Sequence, residues 1–140
     1  LCQHKLNISK RLGFDISCLF IDINSFKPLN DTYGHEVGDL ALICLADTMK
    51  ECLRETDIIG RLGGDEFIAL LQVQPGDCID SITDKLNTTY QSNLEKRGIP
   101  VTSLSIGTGV IAQPKENFAE LLKRADEDMY EKKQASKAAR

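Results

Sequence analysis

A chain of 140 residues is long enough for one domain with one sizeable core. Its 41% hydrophobic and 27% charged content is ordinary for a globular protein. The net charge of −4 argues against bulk electrostatic binding to nucleic acid or to an anionic membrane, while leaving room for a nucleotide held by a local basic cluster or a cation. No apolar run approaches the ~20 residues of a membrane span, and no signal peptide is visible. The five cysteines are scattered without a C-x-x-C pair, which predicts free thiols and a reducing, cytoplasmic setting. Without a secretory signal, the sequons at Asn7 and Asn87 carry no weight.

Residues 1–12 read as a partly polar helix. Its start lacks an obvious cap, which suggests a domain belonging to a longer protein. Residues 16–23 are apolar on both faces, as in a strand covered on both sides. Asp22 interrupts that run between Ile21 and Ile23, where an unpartnered carboxylate would be costly, so a functional role is favoured over a turn initiator. The segment 24–39 is dense in turn formers and hydrogen-bonding side chains, and reads as a loop or a ligand-binding surface. A helix over about 37–54 keeps Leu42, Leu45, Ala46, Met49 and Leu53 on one face, with Asp39 suited to the dipole at its start. A hairpin covers about 58–73, with Gly63-Gly64 at its tip and Asp65-Glu66 directly after.

A second long helix spans about 77–96, with Ile79, Ile82, Leu86, Tyr90 and Leu94 on a stripe, and Gly98 and Pro100 ending it. Residues 101–111 alternate as a strand. Ser103, Ser105, Gly107 and Gly109 make one face small, so something must approach that face closely. Asn117 and Glu120 form a capping box for a last helix over about 117–136, with Phe118, Leu121, Leu122, Ala125 and Met129 facing inward. Without the first helix, the order is close to β-α-β-β-α-β. That describes an α+β sandwich with helices on one face of a largely antiparallel sheet.

A Walker-type P-loop is absent. Gly107-Thr-Gly109-Val-Ile-Ala112 matches a dinucleotide pattern, but Pro114 follows and a strand continues where a helix should start, so the match is rejected. His4 and His35 have no metal-ligand spacing. What remains is Asp22 at a strand end and Asp65-Glu66 at a hairpin tip, on strands that can be neighbours. Two adjacent carboxylates repel unless a cation or donor is near. Hard oxygen ligands favour Mg²⁺, with Mn²⁺ an alternative, held jointly with substrate phosphates. Lys27 and the lysine-rich C-terminus are candidate phosphate contacts. The residues alone point to metal-assisted phosphoryl or nucleotidyl transfer.

Asp22-Ile-Asn-Ser-Phe-Lys-Pro-Leu-Asn30-Asp31-x-Tyr-Gly34-His35-x-x-Gly38-Asp39, followed by Arg61-Leu-Gly-Gly-Asp-Glu-Phe67, resembles the GGDEF family of diguanylate cyclases. Ser105-Ile-Gly107 and Arg124-Ala-Asp126-x-x-Met-Tyr130-x-x-Lys133 match its later motifs, so the resemblance covers nearly the whole chain. It implies a ferredoxin-like, palm-like nucleotidyl cyclase fold, a central largely antiparallel sheet flanked by helices. It implies one GGDEF domain over 1–140, the C-terminal output domain of a longer, in some cases membrane-anchored, signalling protein. The implied reaction condenses two GTP into cyclic di-GMP and two pyrophosphates, which requires a homodimer.

By position, the resemblance makes Asp22, the backbone carbonyl of Ile23 and Asp65 the metal ligands. Glu66 assists, through a second metal or by activating the 3′-hydroxyl. Ser25, Phe26 and Lys27 hold phosphates through backbone amides, and Lys133 and Lys137 reach them from the last helix. Asn30 and Asp39 read guanine, since a carboxylate accepts from N1–H and the N2 amine together. His35, Gly63 and Gly64 complete the substrate surface. Arg54-Glu-Thr-Asp57 matches the R-x-x-D inhibitory site for cyclic di-GMP. Unaided, that spacing is an ordinary ion pair at a helix end. Lys137 stands where Arg is usual, with loss of bidentate geometry. Asn24 replaces a common Asp that is not a ligand in the family, and the family's opening D-x-L-T-x-L-x-N-R segment is missing before Leu1. The competing readings are a catalytically silent receptor for GTP or cyclic di-GMP, against which Asp22 and the intact Asp65-Glu66 count, and a plain dimerisation module.

Overall fold

The computed structural model describes residues 1–138; the side chains at 108–111 and 136–138 lie outside that description. The elements run α1 (Cys2–Leu12), β1 (Asp15–Ile23), α2 (Phe26–Tyr33), α3 (His35–Cys52), β2 (Ile58–Gly63), β3 (Glu66–Val73), α4 (Ile79–Lys96), β4 (Leu104–Ile111) and α5 (Phe118–Ala138). The four strands form one antiparallel sheet in the order β2-β3-β1-β4. That is the ferredoxin-like order, with β1 central and paired to β3 from Asp15↔Val73 to Asp22↔Glu66.

Alternation along the strands divides the core in two. Leu19, Ile21 and Ile23 of β1, with Phe67, Ala69 and Leu71 of β3, face α3 and α4. Ile16, Cys18 and Phe20, with Ile68 and Leu70, face α1 and α5. The sheet is therefore covered on both faces, not on one as the β-α-β-β-α-β order suggests. The reason is that α1 and α5 lie outside that core order, and their apolar stripes need the second face of β1 and β3.

On the first face, the buried Tyr90 hydroxyl of α4 donates to the Ala41 carbonyl of α3 at 3.0 Å. Asn93 donates to Thr48 at 3.0 Å and fixes the same pair of helices. On the second face, Gly107 of β4 meets the backbone of α5: a Cβ there would lie 2.4 Å from the Ala125 carbonyl oxygen. This is the close approach that the small face of 101–111 implies. The capping box is formed, with Glu120 N–H donating to Asn117 Oδ1 at 2.9 Å and Asn117 N–H donating to Glu120 at 3.4 Å. The rejected dinucleotide pattern does lie mostly within β4.

The main local departure is α2. Pro28, Asn30, Asp31 and Gly34 give this segment the composition of a loop, yet it is an eight-residue helix. Tertiary packing overrides propensity here, because Leu29 is buried and Phe26 packs against the same core. Pro28 sits at the third helical position, where its missing N–H costs nothing. The following helix starts at His35, two residues earlier than its pattern suggests.

Candidate functional site

The same alternation that sends Ile21 and Ile23 into one core turns Asp22 to the α5 side. There Asp22 pairs with Glu66 of β3 and with Ser105 of β4 across the sheet. The hairpin tip brings Asp65 to the same end, and Ile23 N–H donates to the Asp65 carbonyl at 3.4 Å. Gly63 and Gly64 have φ of +150° and +51°, values that a side chain would strain, so the tight reversal needs both. Arg61 closes the turn, donating from Nε and Nη2 to the Gly64 carbonyl at 3.1 and 2.7 Å. The α5 stripe Leu121, Ala125 and Met129 continues in steps of four to Lys133, whose Nζ lies 2.5 Å from Asp22 Oδ2.

Asp22 is 7% exposed, and its Oδ1 is buried without a hydrogen-bond partner among the described residues. Burial, and then the facing Asp22 carboxylate, push the Asp65 carboxyl up to about 7. Glu66 is raised as well, by burial and then by Asp22 and Asp126, with Lys133 opposing. This is the electrostatics of a carboxylate group short of positive charge. Among the described residues, no three His, Cys, Asp or Glu side chains stand as a ready-made metal cage. A set of carboxylate and carbonyl oxygens completed by substrate phosphate needs no such cage, and the orphaned Asp22 oxygen fits a divalent cation.

Ser25 is the N-cap of α2 with φ +59°, and Phe26 and Lys27 are the first helical residues. Their N–H groups have no earlier carbonyl in the helix to bond, which leaves backbone donors at this end of α2, beside the end of β1. Asn30 is half-buried on α2, while His35 and Asp39 are exposed at the start of α3. Lys137 lies within α5, but its side chain falls outside the described residues.

Arg54 and Asp57 lie apart from this cluster, at a cavity of about 330 Å³ also lined by Asp77 and Lys85. They do not form the i, i+3 side-chain pair. The Arg54 guanidinium makes two bonds to Asp77, at 3.0 and 2.7 Å. Asp57 instead accepts from the N–H groups of Arg54 and Gln72, both at 2.9 Å.

Three side chains without an assigned role in the sequence prove to be organisers: Arg61, Asp77 and Asn24. Asn24 donates to Ser103 Oγ at 2.9 Å and accepts from Ser105 Oγ at 2.6 Å, lacing the end of β1 to β4. A cavity of about 520 Å³ is lined by Asn24 and Ser105 together with Asp80, Asp84 and Asn87. No helix among the described residues is long and apolar enough to cross a membrane.

A four-stranded antiparallel sheet flanked by helices, with acids gathered at a β-hairpin, defines the palm-like nucleotidyl cyclase fold. The family profile "Diguanylate cyclase, GGDEF domain" matches residues 2–139, and the chain belongs to that family. It is 34% identical over 140 residues to the probable diguanylate cyclase DgcC of Escherichia coli K12, covering 98% of this chain and 37% of that protein. The GGDEF domain of TpbB (YfiN) from Pseudomonas aeruginosa superimposes with a TM-score of 0.78 at 33% identity, covering 94% of this chain and 84% of that one. A microbial GGDEF domain whose structure describes an interaction with cyclic di-GMP gives a TM-score of 0.77 at 31% identity, covering 95% and 82%. The chain thus spans little more than a third of the length of the curated relative.

Proposed function

We propose that this chain is the cyclase domain of a longer cytoplasmic signalling protein, and that it condenses two GTP into cyclic di-GMP with release of two pyrophosphates. The observation that carries this reading is the convergence of Asp22, Asp65 and Glu66 at one end of the sheet, facing Lys133. Asp22, Asp65 and the Ile23 carbonyl would hold Mg²⁺ or Mn²⁺. When bound, such a cation supplies charge neutralisation at the triphosphate and acidifies the attacking hydroxyl.

The chain's own residues do the rest. The amides of Phe26 and Lys27 and the Ser25 turn bind the outer phosphates, and the α2 dipole favours their negative charge. Lys133 is held at 2.5 Å from Asp22, within reach of a phosphate placed at the same end; Lys137 is assigned the same phosphates. Asn30 and Asp39 read guanine, His35 borders the base, and Gly63 and Gly64 let the hairpin backbone close over the nucleotide. Glu66 assists at the 3′-hydroxyl, directly or through a second cation. Each site holds one GTP, and each 3′-hydroxyl must attack the other's α-phosphorus. Two domains therefore have to meet face to face with two-fold symmetry.

We further assign Arg54 and Asp57 to product inhibition, with Arg54 gripping a phosphate or guanine of cyclic di-GMP. Incubation with GTP and Mg²⁺, with product analysis of the parent and Asp65→Asn, tests the catalytic reading. A catalytically silent receptor would bind nucleotide and release no pyrophosphate.

A further inference from the structure

Gly38 occupies the first turn of α3, where glycine costs about 1 kcal/mol relative to alanine. Its φ is not in the positive range, so the backbone does not require glycine there. The requirement is space. A Cβ on Gly38 would lie 1.8 Å from Asn30 Oδ1 and 2.8 Å from Asn30 Cγ, far inside any tolerable contact. The Asn30 oxygen is buried in this slot without a hydrogen-bond partner among the described residues. Gly34 alone separates α2 from α3, and its N–H donates to the Asn30 carbonyl at 2.8 Å. The backbone of Asn30 is therefore held by the inter-helix turn, and its carboxamide occupies the room that the missing side chain at 38 leaves. Asp39 is the next residue, so one turn of α3 both seats Asn30 and carries the carboxylate.

We propose that Gly38 is a positioning residue for base selection: the bare Cα fixes the Asn30 carboxamide relative to the Asp39 carboxylate, and this spacing selects guanine. The proposal rests on the reading of Asn30 and Asp39 as the base-recognising pair. A methyl group at 38 forces Asn30 out of its seat, while leaving the phosphate and cation groups at the other end of α2 untouched. The loss falls on guanine recognition and not on triphosphate binding.

The test is a double-mutant cycle on Gly38→Ala and Asn30→Ala. Binding is measured for the α,β-methylene analogues of GTP and ATP in the presence of Mg²⁺, together with Tm. Gly38→Ala is expected to weaken the GTP analogue about tenfold, the worth of a lost base hydrogen bond, and to leave the ATP analogue unchanged. With Asn30 cut back to alanine the slot is empty, so Gly38→Ala adds no further loss. An equal loss for both analogues, parent-like affinity in Gly38→Ala, or an additive double variant beside a weakened Asn30→Ala overturns the proposal and leaves the base-reading pair standing. Parent-like affinity in Asn30→Ala overturns the proposal and the assignment of Asn30 to guanine together. If Gly38→Ala does not fold, the double variant decides. A folded protein with the affinity of Asn30→Ala supports the seat, and an unfolded one refutes it.

Discussion

The substitution Gly107→Ala tests how the last helix is held against the sheet, and through it how Lys133 reaches Asp22. A Cβ at 107 would lie 2.4 Å from the Ala125 carbonyl oxygen, 2.9 Å from the Met129 amide nitrogen and 3.2 Å from Met129 Cβ. Two of these atoms are helix backbone, which cannot rotate aside. Restoring ordinary contact requires α5 to retreat from β4 by about 1 Å, an overpacking strain of about 1–3 kcal/mol. For a domain of this size, the expected fall in Tm is roughly 3–10 °C.

The same retreat carries Lys133, one helical turn beyond Met129, away from Asp22, and a displacement of that size at a reacting centre is expected to cost about tenfold or more in turnover. Gly60→Ala is the control. Its Cβ meets only the Ile68 side chain, 3.3 Å away at the nearest atom, so a shift of a few tenths of an ångström restores ordinary contact. Thermal denaturation and cyclase turnover of the two variants decide the matter. A Gly107→Ala protein that melts and turns over like the parent would refute the close-approach account of α5.

Tyr90→Phe removes the bond by which α4 engages the Ala41 carbonyl of α3, a second donor to an oxygen already inside the helix, and is expected to cost about 1 kcal/mol in denaturant unfolding at unchanged m-value. Arg124 donates to Glu116 at 2.7 and 2.8 Å, and this holds the Glu116 carboxyl below the usual glutamate range. A depressed folded pKa means stability that is complete above the unfolded value and lost as pH falls through the folded one. The Tm gap between the parent and Glu116→Gln is therefore expected to be constant near neutrality and to close in acid below about pH 4.5. A gap that widens in acid would reverse the sign of this linkage. Arg54→Ala is expected to relieve inhibition by cyclic di-GMP while initial turnover stays near that of the parent; unchanged inhibition would remove Arg54 from the product site.

Much of the site was legible because acids stood where the apolar pattern forbade them. Asp22 between Ile21 and Ile23 signals a strand end that needs a partner, and two glycines before Asp65-Glu66 signal a tip that carries surplus charge. The small face of 101–111 likewise announced a close neighbour, and α5 is that neighbour. What stayed illegible depends on contacts distant in sequence. The α2 helix exists because Leu29 finds the core, and nothing in Pro28 or Asn30 announces it. The Arg54 guanidinium takes Asp77 as its partner, 23 residues away, and leaves the nearby Asp57 to backbone donors. The covering of the second face needed knowledge of where α1 and α5 dock, which periodicity gives only as amphipathic stripes.

The most direct measurement is nucleotide product analysis on a dimerised form of the chain with GTP and Mg²⁺, comparing the parent with Asp65→Asn. Cyclic di-GMP and pyrophosphate are expected from the parent and neither from the variant, with both proteins folded. Equal product from Asp65→Asn, or none from a folded, dimeric parent, would contradict the cyclase reading.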